Sequence, residues 1–250
     1  MKWVQSFYEK QYKLIHHDGN IQISENHVKL LKKMESMVNK DFSSILELGA
    51  GMGEFAITAA KNGYHVTAIE IISSAAKHIR EMASQLSIDG RLQVITDDFY
   101  HVPISQSFDV VCYLDGFGIG GDQDQRELLR KIHDWLQPSG CAIIDIYTPW
   151  YWLSTNGQEM SFSNFKRKYG FDANSCRMLD TWYDLKEPSE IYTQSLRCYS
   201  PEDLRLLLNG TGLVLTEIYP GGALDYANWQ YYEEVSLIKA MSYTAILKKE

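Results

Sequence analysis

Apolar and polar positions along this chain fall into two alternating rhythms. Five short runs are apolar almost throughout, as strands covered on both faces are. They are SILEL (44–48), HVTAI (65–69), RLQVI (91–95), FDVVCYL (108–114) and CAIIDIY (141–147). Between them the period lengthens to that of an amphipathic helix. This happens from about Gly53 to Lys61, in SSAAKHIREMASQL (73–86) with a serine placed to cap it, and in DQRELLRKIHDWL (124–136), which QPSG stops. A further helix is predicted in PEDLRLLLNG (201–210), then two strands, LVLTEIY (213–219) and SYTAILK (242–248). No helical run of similar quality joins those two strands, so an antiparallel pair at an edge is expected. Strand–helix alternation predicts an α/β fold. The expected form is a doubly wound, Rossmann-like, mostly parallel seven-stranded sheet with helices on both faces and an antiparallel edge strand.

The flanks read differently. Residues 149–198 are dense in aromatics, among them Trp150, Tyr151, Trp152, Phe162, Phe165, Tyr169, Trp182, Tyr183 and Tyr192. CRMLDTWYDL and EIYTQSLRCYS alternate around the polar turn KEPS, the pattern of a β-hairpin laid over the sheet. The N-terminal WVQSFYEKQYKL places Trp3, Phe7, Tyr8 and Tyr12 at helical spacing, the pattern of a lid helix. HHDGN breaks it before a second amphipathic run, ENHVKLLKKMESMV. One domain is expected over 1–250, with an N-terminal helical cap (1–40), a ligand-binding core (42–148), a lid insertion (149–200) and completion of the sheet (201–250).

Composition narrows the partners. The 250 residues carry a net charge of −8 with no Lys/Arg block longer than KRK at 166–168. That argues against nucleic acid. No run is long enough for a membrane span, and the N-terminus lacks the apolar core of a signal peptide. The four cysteines (Cys112, Cys141, Cys176, Cys198) show no CxxC spacing. Reduced thiols in the cytoplasm are expected.

In doubly wound sheets ligands bind beyond the carboxyl ends of the strands. Here the first strand ends in GAGMG, the second in Glu70, the third in DDFY with Asp97, Asp98 and Phe99, and the fourth in DGFGIGG with Asp115 and Phe117. One acid after a strand is ordinary capping; one after each of three strands beside a glycine turn marks a site. The turn is GxGxG, with Glu54 where a dinucleotide fingerprint needs glycine, and no phosphate-cradling GxxxxGK[ST] occurs. A negative side chain at that helix start is a poor neighbour for a pyrophosphate. Glu70 stands 21 residues after Gly49, the spacing at which an acid reaches a ribose diol. Asp98 can accept from an exocyclic amine, and Phe99 can cover a purine. The ligand implied is an adenosine with a cationic tail and no phosphate.

ELGAGMGEFA, AIEI (68–71), DDFYHVP (97–103), FDVVCYLDGFGIG (108–120) and WLQPSGCAIIDIY (135–147) together resemble the ordered motifs of class I S-adenosylmethionine-dependent methyltransferases of the small-molecule type. The resemblance covers about 42–148 and returns over 199–219. It implies S-adenosyl-L-methionine as cofactor. Gly49 and Gly51, with Ala50 between them, would pass under the methionyl part, and Glu70 would hold the ribose hydroxyls. Asp98 would meet the adenine amine, with Asp97 as its duplicate, while Ile71 and Phe99 pack the ring. The backbone near Leu114 would accept from the amino group, which Glu47 helps to orient. Phe117 is counted among the cofactor residues. A tyrosine of the first helix, Tyr8 or Tyr12, would reach the methionyl carboxylate.

For the acceptor, the candidate bases are Asp115, His101, His16 and His17, with Asp115 preferred for its place on the active edge. Asp115, Asp122 and Asp124 could in principle ligate a metal, but they suit the start of the next helix better, and no metal is expected. A small-molecule substrate is expected, aromatic or an amine, methylated on N or O. A peptide or protein side chain, an aminopropyl-type transfer and a non-catalytic cofactor-binding partner stay open.

Overall fold

Each of the five apolar runs becomes a strand of the main sheet in the computed structural model, which describes residues 2–15, 25–38, 40–187 and 189–250. Two N-terminal helices come first, α1 (Lys2–Ile15) and α2 (Glu25–Val38). The core follows as β1 (Ser44–Leu48), α3 (Glu54–Lys61), β2 (His65–Ile69), α4 (Ser73–Gln85), β3 (Leu92–Ile95), β4 (Phe108–Tyr113), α5 (Asp122–Trp135) and β5 (Leu136–Tyr147). After α6 (Pro149–Ser154) come β6 (Glu159–Ser161), β7 (Phe165–Asp172), β8 (Arg177–Asp184) and β9 (Ile191–Arg197). The chain closes with α7 (Pro201–Leu208), β10 (Leu213–Pro220), β11 (Ala223–Asp225), β12 (Gln230–Tyr232) and β13 (Ser242–Lys249).

The main sheet has seven strands in the order β10-β13-β5-β4-β1-β2-β3. β1, β2, β3, β4 and β5 run parallel, and β13 lies antiparallel to both β5 and β10 at one end of the sheet. Successive residues of one strand serve opposite faces. Ile45 packs with Leu31, Met34, Phe55 and Ile79 of α2, α3 and α4. Leu46 packs with Leu128, Leu129 and Leu204 of α5 and α7. Such fully buried side chains each contribute about 1.5–3 kcal/mol, so the two faces fix the register of the whole sheet.

Two expectations are corrected here. Ser73 does not cap α4: the N-cap is Ile72, and no side chain caps that end. The N–H of Ile72 itself donates to Glu70 Oε1 at 2.7 Å, which anchors the residue before the helix to the strand end. The insertion is a four-stranded antiparallel sheet, β6-β7-β8-β9, rather than a lone hairpin. β7 escaped detection because its inward positions read Phe165, Arg167, Tyr169, Phe171, and an arginine in that row hides the alternation. α1 docks on this inserted sheet, through Phe7 against Trp182 and Lys10 against Asp184. The break at HHDGN, with His16 and His17, lies outside the described residues.

Candidate active site

The strand ends converge on a cavity of about 360 Å³, roofed by α1. Its floor is the glycine turn. Gly49 and Gly51 have φ of +68° and +61°, the left-handed region that favours glycine. A Cβ on Gly51 would point at the Tyr12 hydroxyl, 3.5 Å away. Gly53 does a different job. A Cβ there would lie 2.6 Å from Ile79, so this glycine lets α3 and α4 close on each other.

Glu70 ties the turn together. Its Oε2 accepts from the Gly51 N–H and its Oε1 from the Ile72 N–H, both at 2.7 Å. Burial lifts its carboxyl to about 7, against the pull of those same backbone donors. Glu47 is buried beside it. Burial pushes its carboxyl well up, the neighbouring Glu54 and Glu70 add to this, and only the Ala56 N–H opposes it. Among the described residues Glu47 Oε2 is buried with no hydrogen-bond partner. A buried, unpartnered carboxylate oxygen costs free energy until a donor or cation meets it. Ile71, Asp98 and Phe99 line the same cavity, with Phe99 beside Gly49. The Phe99 ring lies 5.2 Å from Tyr113 in an edge arrangement.

Asp115 faces the cavity from a backbone with φ +56°, unusual for a residue with a side chain. The loop that carries it is held from two directions. Tyr113 donates to Gly116 O at 2.7 Å. Arg177 of β8 donates to the carbonyls of Gly118, Ile119 and Gly120 at 3.0–3.1 Å. Tyr147, at the end of β5, donates to Asp115 Oδ1. Burial raises the Asp115 carboxyl; the Tyr147 hydrogen bond and the charge of Arg167 act against that rise. Arg167 is itself spent on Asp180 of β8, with Nη2–Oδ2 at 2.5 Å and Nε–Oδ1 at 3.2 Å. Tyr8 of α1 completes the roof, accepting from Gln194 Nε2 of β9 at 2.7 Å.

Of the residues expected at the site, Tyr8, Tyr12, Glu47, Gly49, Ala50, Gly51, Glu70, Ile71, Asp98, Phe99, Leu114 and Asp115 all line this one cavity. Asp97 and Phe117 do not. Asp97 is exposed and accepts from the Asp98 N–H at 2.8 Å, so it orders the turn from outside. Phe117 is 1% exposed and packs on Tyr113 and Tyr199, a core residue behind the loop. His101 is likewise turned outward, its side chain 78% exposed against Asp98. Asp124 accepts from the Gly121 N–H at the start of α5, and Asp122 meets Arg197 and Tyr199. No group of three or more metal-ligating side chains occurs among the described residues. Tyr147, Arg167, Asp180 and Gln194 were not foreseen. For Arg167, Asp180 and Gln194 the only sequence signal is a polar residue at an inward position of an aromatic strand, and Tyr147 merely ends an apolar one.

Residues 45–140 match a family model described as a methyltransferase domain. No curated protein matches the chain. Among solved structures, the CcbJ methyltransferase from Streptomyces caelestis is 18% identical with a TM-score of 0.74, over 95% of this chain and 96% of the other. A S-adenosylmethionine-dependent methyltransferase from Clostridium acetobutylicum is 15% identical with a TM-score of 0.72, over 98% of each chain. The glycopeptide N-methyltransferase MtfA complexed with S-adenosylmethionine is 15% identical with a TM-score of 0.56, over 88% and 92%. At these identities the likeness is one of fold.

Proposed function

We propose that this class I S-adenosylmethionine-dependent methyltransferase, whose residues 45–140 carry the domain, moves a methyl group onto a nitrogen or oxygen of a small molecule. The observation that carries the reading is a single cavity lined both by the glycine turn with Glu47 and Glu70 and by Asp115. The first of these suits the cofactor on its own chemistry: the unpartnered Glu47 Oε2 needs a donor, and the glycine turn leaves room for a chain to pass.

When bound, S-adenosylmethionine supplies an electrophilic methyl on a positively charged sulfur. In our reading Glu70 holds the ribose hydroxyls, Asp98 meets the adenine amine, and Ile71 and Phe99 pack the ring. Glu47 and the Leu114 backbone take the ammonium, and Tyr12 reaches the carboxylate. Asp115 then takes the acceptor's proton, and its raised basicity suits that task. The aromatic roof of α1 and the inserted sheet keeps water from the transfer point. The rest of the rate follows from holding the acceptor in line. The free thiols of all four cysteines support work in a reducing compartment, and among the described residues no helix is long and apolar enough to cross a membrane.

The test is a partition of label. Purified protein is incubated with methyl-labelled cofactor and a whole-cell extract, then split by molecular mass. Label in the small-molecule fraction supports the reading. Label confined to peptides or proteins replaces it with side-chain methylation.

A further inference from the structure

We propose that the acceptor is an amine, received as a protonated nitrogen at the Asp115 end of the cavity, with Tyr147 as the residue that positions the carboxylate. This rests on the methyltransferase reading above.

Charge is the first argument. Among the described residues the cavity is lined by Glu47, Glu54, Glu70, Asp98 and Asp115, with His27 beside them and no lysine or arginine. Glu47, Glu70 and Asp98 stand at the glycine-turn end, which leaves Asp115 for the acceptor. The cation nearest in effect, Arg167, is not free for a substrate carboxylate or phosphate. It is bidentate on Asp180, which also accepts from Trp182 Nε1 at 2.9 Å. Its guanidinium lies 4.6 Å from the Trp182 ring centre and 5.2 Å from that of Tyr169. An anionic acceptor would meet repulsion with no compensating charge, whereas a cation is favoured.

The second argument is the company Asp115 keeps. The groups in electrostatic contact with it are the phenols of Tyr8 and Tyr12 on α1, Tyr113 on β4, Tyr147 and Asp145 on β5, and Arg167 and Asp180 of the inserted sheet. A carboxylate set among phenols suits an ammonium, which can donate a charge-assisted hydrogen bond from its N–H to the carboxylate. Tyr147 is fixed for its part. Its ring stacks on Trp152 at 5.0 Å, and Trp152 Nε1 donates to Met241 O at 3.0 Å. The acceptor loop is fixed independently by Tyr113 and Arg177, so the aim of the carboxylate within it is set by the Tyr147 hydrogen bond.

The chemistry balances. The bound ammonium passes one proton to the Asp115 carboxylate. The freed lone pair forms the new nitrogen–carbon bond as the carbon–sulfur bond breaks with its electrons on sulfur. The positive charge moves from sulfur to the product nitrogen.

The probe is sinefungin, which carries a primary amine in place of the methyl-bearing sulfur, compared with S-adenosylhomocysteine, which lacks that charge. Both are titrated by calorimetry into the wild-type chain, Asp115→Asn and Tyr147→Phe. Asparagine tolerates the left-handed backbone at 115. The expected result is a wild-type preference for sinefungin that falls at least about tenfold in Asp115→Asn, the loss of one charge-assisted contact. S-adenosylhomocysteine affinity should stay within about twofold. Tyr147→Phe should lower the preference roughly threefold. An unchanged preference in Asp115→Asn overturns the amine proposal and leaves the methyltransferase reading standing. Should that variant also lose S-adenosylhomocysteine, an unchanged preference in Tyr147→Phe overturns it instead. Failure of the wild-type chain to bind S-adenosylhomocysteine overturns the underlying reading.

Discussion

The parallel core and the inserted sheet both contribute acids to the interior, and they treat them in opposite ways. In the core, Glu47, Glu70 and Asp98 follow or end apolar strands, and their carboxylates are directed at the cavity. In the inserted sheet, Asp180 and Asp184 sit on the inward face of β8 and are neutralised within the lid, by Arg167 and by Lys10 of α1. Among the described residues the core meets its acids with backbone N–H groups and no lysine or arginine, whereas the lid cancels its own with cations. A buried charge is tolerated only when something answers it. For the lid the answer is a cation of this chain; in the core, backbone N–H groups answer Glu70 and Asp98 in part, and Glu47 Oε2 is left for a donor from outside.

The strongest way to break this comparison is at the floor of the core. Gly51→Val should abolish cofactor binding, weakening it by at least roughly a hundredfold. A β-branched residue at φ +61° carries backbone strain of about 1–3 kcal/mol, and its side chain also fills space beneath Tyr12. Calorimetry on a variant with an unchanged circular dichroism spectrum checks it, and normal binding would remove the turn from the cofactor site.

Glu70→Ala should cost about 1–3 kcal/mol of cofactor affinity, because hydroxyl donors lose a charged acceptor. The pH dependence is sharper. With the carboxyl lifted to about 7 in the ligand-free chain, binding below that pH must first expel a proton. Affinity should therefore fall by up to about tenfold per pH unit as pH drops from 7 toward 5, and level off above 7. Glu70→Gln should flatten the profile. Folding responds with the opposite sign. A carboxyl whose folded value lies above its ordinary 4.5 stabilises the fold below 4.5, and that contribution is lost as pH rises through 7. Acid should thus weaken binding while the Glu70 contribution to thermal stability grows.

The smallest effect belongs to the lid. Lys10 meets Asp184, Glu187 and Glu190 at 2.9–3.3 Å. Two of these partners are exposed, so Lys10→Ala should cost only about 1 kcal/mol and lower the melting temperature by about 2–4 °C. Cofactor affinity should change less than threefold. A larger loss of affinity would mean that the docking of α1 governs the floor as well as the roof.

The same contrast explains what the sequence could disclose. Core strands such as SILEL and FDVVCYL are apolar on both faces, so their ends, and the acids just past them, are marked by local composition. The sheet, its order of elements and most of the cavity lining follow from that. Asp98 is favoured over Asp97 by its place directly before Phe99, and the turn at 98–102 does bring Asp98 to the cavity and leave Asp97 outside. Phe117 reads as a site residue from its loop, yet it is drawn into the core by Tyr199, 82 residues away. The lid was least legible. Arg167 and Asp180 occupy positions that a hydrophobic pattern reserves for apolar side chains, and only their mutual pairing makes those positions acceptable. The partner of Asp115, Tyr147, lies at the end of a strand whose apolar run predicts burial and nothing more.

The most direct test of the central claim is a calorimetric titration of the wild-type chain at pH 7.5 with S-adenosylhomocysteine and, separately, with NAD. The account predicts one saturable site for S-adenosylhomocysteine and no heat of binding from NAD, because Glu54 stands where a pyrophosphate would sit. Binding of NAD, or of neither molecule, would contradict it.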